Sequence, residues 1–444
     1  MNLLKENVRT LYFKYLAAAF GSALISSIYS LVDMAVVGQS QGPNGTAALA
    51  VVAPLWNIIY SLGLLMGIGG SVLLSLVKGQ KAGDRKQANA YFSASLIGSI
   101  LLAAIAWAVL LCFETPLLLM FGADETLLDL ARSYLVPVKF TFPLFLFNQM
   151  LAAFLRNDND PSRATWAVVA GGVFNIVGDI VFVFPMGMGI FGAGLATALG
   201  AVVSFVLMMT HFFSKKNTLG LVKVHHLGSM LAKITVTGFS TFFIDIAMGI
   251  LTILFNTQIM KYLGSDALAV YGPIINVSTI VQCCAYATGQ AAQPILSINY
   301  GAHQVERIGQ TLKYALYTTA FFSIFWTGLS LAYPEGYLYV FMKPTARILA
   351  IGPAIIRTYS LSFLLLPLNV FSTYYFQALM QPKTAFIVSV FRGVLISGAL
   401  ILILPHIAGP DSIWLAMPIT ELLIAFYVVW KMHSSTKALQ ADAA

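Results

Sequence analysis

Gly171-Gly172-Val173-Phe174-Asn175-Ile176-Val177-Gly178-Asp179-Ile180-Val181-Phe182-Val183-Phe184-Pro185 is an apolar run with two polar side chains, Asn175 and Asp179. Four residues apart, they share one face of a helix, one turn above the other. A carboxylate at the centre of a bilayer costs roughly 2.5–3.5 kcal/mol, so a chain that keeps one there either uses it or pairs it. Whether the run crosses a bilayer or fills a soluble core is decided by its surroundings. The 444 residues are 59% hydrophobic and only 9% charged, against about 25% charged in soluble domains, and the mean hydropathy is +0.83. The chain reads as an all-α polytopic membrane protein, with room for about a dozen spans and no sizeable soluble domain.

Working outward from that run, which is span 5 at about 164–184, the other spans fall near 16–38, 46–77, 89–113, 133–154, 192–213, 234–260, 266–299, 308–332, 348–377, 385–404 and 412–430. The charged N-terminus followed by an apolar run looks like a signal peptide. The run continues to Gly38 and contains Asp33, however, so it reads as a retained first span. Residues 39–45 read as a short external turn, and the acidic stretch 114–129 as an external loop. Residues 78–86, 155–163 and the lysine-bearing linker 214–233 read as internal.

The net charge of +8 could suggest a nucleic-acid partner, but its distribution excludes that. On this topology 18 of the 25 Lys and Arg lie on one side, the positive-inside pattern. Arg132, Lys261, Lys343, Arg347 and Arg357 lie on the other, and Lys139 and Arg392 fall within spans. Both termini are expected in the cytoplasm.

The chain also repeats itself. Ala48-Leu49-Ala50-Val51-Val52-Ala53-Pro54 recurs as Ala267-Leu268-Ala269-Val270-Tyr271-Gly272-Pro273, Arg132-Ser133-Tyr134 as Arg357-Thr358-Tyr359, Pro161 as Pro382, and Leu195-Ala196 as Leu415-Ala416. These offsets agree along the chain and describe a duplication of six spans, 1–220 and 221–444. An even number of spans inserts both halves in the same orientation, so a pseudo-two-fold along the membrane normal is expected, with alternating access at the cleft between two bundles.

Several stretches carry a family resemblance over the full length: Leu31-Val32-Asp33-Met34-Ala35-Val36-Val37-Gly38, Gly79-Gln80-Lys81-Ala82-Gly83-Asp84 and Arg156-Asn157-Asp158-Asn159-Asp160-Pro161 in the first half. In the second half they are Gly289-Gln290-Ala291-Ala292-Gln293-Pro294, Asn299-Tyr300-Gly301-Ala302 and Ile413-Trp414-Leu415-Ala416-Met417-Pro418-Ile419. In this order and spacing they resemble the multidrug and toxic-compound extrusion (MATE) transporters. The glutamine-rich end of span 8 and Arg392 look most like the bacterial MepA-like branch. The resemblance implies two six-helix lobes in a bacterial inner membrane. It also implies a monomer that exports cationic amphiphilic drugs in exchange for H⁺ or Na⁺, with membrane lipids as its surroundings and no other cofactor.

Four acids lie inside spans: Asp33, Asp179, Asp245 and Glu421. Asp33, Asp179 and Thr197 each fall about five residues below an external span end, hence at one depth, roughly 8 Å down, and Asn175 is one turn deeper. Such an oxygen-rich cluster suits a proton or a hard cation; the other reading is a structural network tying spans 1, 5 and 6. Two nearby carboxylates cannot both ionise cheaply, which favours use. The resemblance maps the family's N-lobe cation site onto Asp33, Asn175, Asp179 and Thr197, with the carbonyl of Ala193 as a further ligand.

In the second half Asp245, Arg392 and Glu421 fall near the midplane. One Arg⁺ neutralises one carboxylate, leaving the other acid for a proton or a cationic drug; a buried structural ion pair is the alternative. In another branch of the family a span 7 acid is a cation ligand, and Asp245 resembles it. Lys139 is expected to snorkel or to pair with a lobe carboxylate. Tyr29, Phe147, Phe154, Tyr286 and Phe371 are candidates to line a drug cleft, where aromatic faces attract organic cations. His225-His226 and Cys283-Cys284 lack metal-ligand spacing, and no P-loop occurs. A lipid-linked oligosaccharide flippase is the alternative function. It would need basic residues facing phosphate, whereas the spans hold four acids and two bases. No constellation of catalytic residues points to an enzyme.

Overall fold

The computed structural model describes residues 3–80, 85–342 and 344–443, excepting the side chains at 27, 43, 442 and 443. Lys81-Ala82-Gly83-Asp84 of the basic loop and Lys343 lie outside the described residues. Twelve helices among those described are long and apolar enough to cross a membrane. They are α1 Val8–Gly42, α2 Asn44–Gln80, α3 Arg85–Met120, α4 Glu125–Asn157, α5 Pro161–Val183, α6 Gly189–Phe213, α7 Leu227–Tyr262, α8 Ser265–Gly301, α9 Val305–Ala332, α10 Ala346–Ala378, α11 Pro382–Ile407 and α12 Pro410–Ala441. A short helix, Pro334–Phe341, follows α9. All described secondary structure is helical, as a bilayer requires of a chain that must satisfy its own backbone polar groups.

Two connections are shorter than the sequence reading had them. The expected turn at 39–45 is a change of direction at Gly42, at φ 66°. Glycine takes that left-handed conformation without steric cost, and the next helix restarts at once. The expected loop at 114–129 is mostly helix. α3 continues past a kink at Phe113 to Met120, and α4 begins after Asp124, whose carboxylate caps the Leu127 N–H at 2.8 Å. The Pro-Leu-Leu-Leu-Met tail is as apolar as the span before it, so only charge suggested a loop there.

The chain packs as two units. The first comprises the residues up to Glu6 with Ala17–Phe242, the second Asn7–Leu16 with Phe243–Ala444. Within the first unit α5 and α6 touch through glycines. A Cβ on Gly171 would lie 2.6 Å from the Gly200 carbonyl, and one on Gly200 would lie 2.7 Å from the Gly171 carbonyl. Without a hydrophobic driving force between helices in lipid, such backbone approach supplies the attraction. The opening turns of α7 belong to the same unit, since a Cβ on Gly238 would strike the Leu65 carbonyl of α2. The second unit is built around Phe255, Tyr271, Ile274, Tyr359, Phe363 and Trp414, and Tyr12 joins it by donating to Thr318 Oγ1 at 2.9 Å.

Candidate functional site

The apolar run of α5 delivers Asn175 and Asp179 to the interior of the first unit, where both are buried. Thr197 comes from α6, with the fully buried Ala193 one turn earlier on the same helix. Asp33 comes from α1. The structure brings these helices together through a residue that the sequence reading did not assign, Tyr134 on α4. Its hydroxyl is 3.3 Å from Asp33 Oδ2 and 3.2 Å from Thr197 Oγ1. Asn175 Nδ2 donates to the same Thr197 oxygen at 3.1 Å.

Tyr134 reaches this place because α6 carries glycine opposite it: a Cβ on Gly194 would collide with the Tyr134 carbonyl. Thr197 follows Gly194 by three residues and so shares its face. Tyr134 recurs within the Arg-Ser-Tyr repeat, which was the available signal, but its spacing says nothing of its partners.

Proton counting orders these bonds. The tyrosine has one proton. Given to Asp33, it leaves the tyrosine oxygen to accept from Thr197, which in turn accepts from Asn175. The chain of donors Asn175, Thr197, Tyr134 thus ends on the Asp33 carboxylate. Asp179 stands beside it with no donor: both its oxygens, with Asp33 Oδ1 and Asn175 Oδ1, are buried acceptors without a hydrogen-bond partner among the described residues. The Asp33 and Asp179 charges are close enough to interact.

Aromatics surround the cluster. Tyr29, one turn before Asp33, has its hydroxyl 3.4 Å from that of Tyr60. Trp56 lies with its ring centroid 4.7 Å from Phe145 and 6.4 Å from Tyr134. Of the candidate cleft aromatics, Phe154 and Phe371 are fully buried in unit interiors, against Phe92 and Tyr375. They are packing residues, selected from sequence only because a helix pattern does not reveal which apolar face meets lipid. Phe147 packs on Phe205.

The sequence model of the MatE family matches residues 18–181 and again 241–400. The chain belongs to the MATE family. The two matches begin at 18 and at 241. A curated relative, "Multidrug export protein MepA" of Staphylococcus saprophyticus, is 23% identical over 425 residues, covering 95% of this chain and 93% of that one. The "FAD transporter" of Shewanella oneidensis is 25% identical over 437 residues, covering 93% and 92%. Among solved structures, the outward-facing conformation of a multidrug resistance MATE family transporter of the MOP superfamily superposes with TM-score 0.90 at 22% identity, covering 99% of this chain and 98% of that one. The MATE fold, MepA-like, is thereby shown, and with it a membrane transporter rather than an enzyme.

In this MATE chain the second-half acids are divided. Arg392 pairs with Glu421 Oε1 at 2.8 Å through both Nε and Nη2, and Asn369 donates to Glu421 Oε2 at 2.7 Å. Asp245 has no ion pair among the described residues; it accepts from Tyr286 at 2.7 Å, and Gln282 donates to that hydroxyl at 2.6 Å. Arg392 sits in a π-helical turn, Phe391–Leu395, inside α11, a distortion frequent at functional sites. Lys139 pairs with Glu114 at 2.6 Å, an acid the sequence reading placed in a loop.

A further charge network lies at the basic end of the first unit, on the turn between α4 and α5. His211, fully buried, has Nε2 2.9 Å from Asp158 and Nδ1 3.2 Å from Asp160. Lys78 reaches Asp158 at 2.6 Å, and Arg163 and Lys216 reach Asp160 at 2.9 and 3.0 Å. Thr218 of the linker donates to Asp158 through its backbone N–H at 2.8 Å. Burial alone would raise Asp158, but the bonds from His211, Lys78 and Thr218 outweigh it and hold the carboxyl below the usual carboxylate range. Asp160 is lowered likewise, burial being outweighed by Lys216, His211 and Arg163.

Proposed function

We propose that the chain is a secondary active exporter of cationic amphiphilic compounds, exchanging them for H⁺ or Na⁺ by alternating access of its two halves in a bacterial inner membrane. The observation that carries this reading is Asp179. It is a fully buried carboxylate with no donor among the described residues, beside a second carboxylate already supplied by Tyr134. A bare buried carboxylate costs several kcal/mol, so the site calls for a positive partner: a proton, or a small cation coordinated by Asp33 Oδ1, Asn175 Oδ1 and both Asp179 oxygens. Ala193 would contribute only its carbonyl. Asp245, held by one tyrosine and by no cation among the described residues, is the counter-charge offered to an organic cation. Binding drives transport only through differential affinity for the inward- and outward-open states.

The test is dye efflux from proteoliposomes under an imposed ΔpH or ΔNa⁺, applied separately. Wild type should move an ethidium-like dye under one gradient, and Asp33→Asn and Asp179→Asn should not. Undiminished efflux by both variants would overturn the ion site. The flippase reading, like a FAD-like anionic cargo, needs uncommitted cations in the spans. Lys139 and Arg392 are instead engaged by Glu114 and Glu421.

A further inference from the structure

At the basic end of the second unit, the head of α11 and the last turns of α12 border an open pocket. It is lined by Gln381, Lys383 and Thr384 from the first and by Lys431, Ser434 and Ser435 from the second. The α12 residues are spaced i, i+3, i+4, so one helix face supplies them. Among the described residues the lining holds two lysines and no acid. Neither lysine has a carboxylate within ion-pair distance among the described residues, in contrast to Lys78, Lys139 and Lys216. Two like charges brought to one concavity repel unless an anion lies between them.

The hydrogen-bonding groups agree. Ser435 Oγ donates to Gln381 Oε1 at 3.0 Å, which occupies the amide oxygen and leaves N–H donors to offer. Thr384 and Ser434 add hydroxyls. The first turn of α11 has no side-chain cap.

The surface beside the pocket is apolar and exposed. Phe426 and Trp430 are 68% and 60% exposed, and with Ser434 they form a stripe at four-residue spacing that leads from the span to the pocket. Lys431 Nζ stands 4.7 Å over the Trp430 ring, an arrangement suited to the headgroup level of a membrane.

We propose that this pocket binds the phosphate of an anionic phospholipid, with the two lysines and the hydroxyls on the headgroup and an acyl chain along Phe426 and Trp430. The assignment rests on the reading that this lysine-bearing end faces the cytoplasmic leaflet, where anionic headgroups attract basic side chains. Native mass spectrometry of the purified full chain, titrated with phosphatidylglycerol, phosphatidylcholine, glycerol 1-phosphate or inorganic phosphate, tests it without reference to transport.

Wild type should retain phosphatidylglycerol over phosphatidylcholine. Lys383→Gln/Lys431→Gln should weaken that binding about twenty-fivefold, at about fivefold per lysine. Lys383→Arg/Lys431→Arg should retain it, and the exposed linker substitution Lys223→Gln should leave it unchanged. Equal retention by the Gln double variant and wild type would overturn the site. Binding of glycerol 1-phosphate or inorganic phosphate as tight as that of phosphatidylglycerol would overturn the lipid as its occupant.

Discussion

Tyr134 turns three separately placed side chains, Asp33, Thr197 and Asn175, into one network, and its hydroxyl is the part that does so. Tyr134→Phe keeps the ring against Trp56 and removes the proton given to Asp33. A hydrogen bond to a charged group is worth about 1.5–3 kcal/mol; without it the Asp33 carboxylate has no donor left among the described residues, so the ion that neutralises it should bind roughly ten- to hundredfold more tightly. Efflux rates against pH or Na⁺ concentration should then show the half-activating ion level displaced, with the maximal rate less affected. An unchanged ion dependence would remove Tyr134 from the site.

The second residue-scale feature is the His211 bridge. Both ring nitrogens face carboxylate oxygens, an arrangement with two donors only when the ring carries a proton on each. His211→Ala leaves two buried acids short of a donor, and breaking a buried pair costs about 3–5 kcal/mol. A clear fall in the thermal unfolding midpoint of the detergent-solubilised protein is expected. The pH dependence has a definite sign. Asp158 and Asp160 are held below the ordinary carboxylate range in the fold. Their stabilisation is therefore fully present above that range and is lost as pH falls through the depressed values. Unfolding midpoints measured against pH should drop on the acid side, and Asp158→Asn/Asp160→Asn should flatten that drop.

At the scale of the element, the close helix contacts are glycine contacts, and they set the register of the site. A methyl at Gly194 has the Tyr134 carbonyl in its way, so α4 and α6 must separate or rotate. Gly194→Ala should cost about 1–3 kcal/mol as an overpacking change and should impair efflux as well, because Tyr134 and Thr197 move with those helices. Gly228→Ala, with open space around its Cβ position, is the matched control and should do neither. The helices themselves were legible from composition and periodicity. Their ends were less so, since the acidic charge around Glu114 suggested a loop where Lys139 pairs with that acid and α3 runs on.

At the scale of the whole molecule, the lysine and arginine asymmetry predicts orientation. With Cys112, Cys283 and Cys284 replaced by serine, a cysteine at Lys223 should be shielded from a membrane-impermeant maleimide in intact cells. One at Glu125 should be labelled. The reverse pattern would invert the topology, and with it the leaflet assigned to the Lys383 and Lys431 pocket.

The sequence by itself determined the class of molecule, the number of spans, the duplication and the family, because each is written in one dimension: hydropathy, charge and recurrence at a fixed offset. It also singled out Asp33, Asn175, Asp179 and Thr197, because a polar group in an apolar run is conspicuous by its cost. Only the tertiary structure decided what those groups meet. Tyr134 is an unremarkable tyrosine until Gly194 admits its backbone to α6. Arg392 could have taken Asp245 or Glu421, and it took the acid that Asn369 also holds. His211, at the end of one span, meets two aspartates more than fifty residues earlier in the chain. Partner choice depends on how helices rotate and how closely their backbones approach, and neither quantity is encoded in the spacing along a single helix.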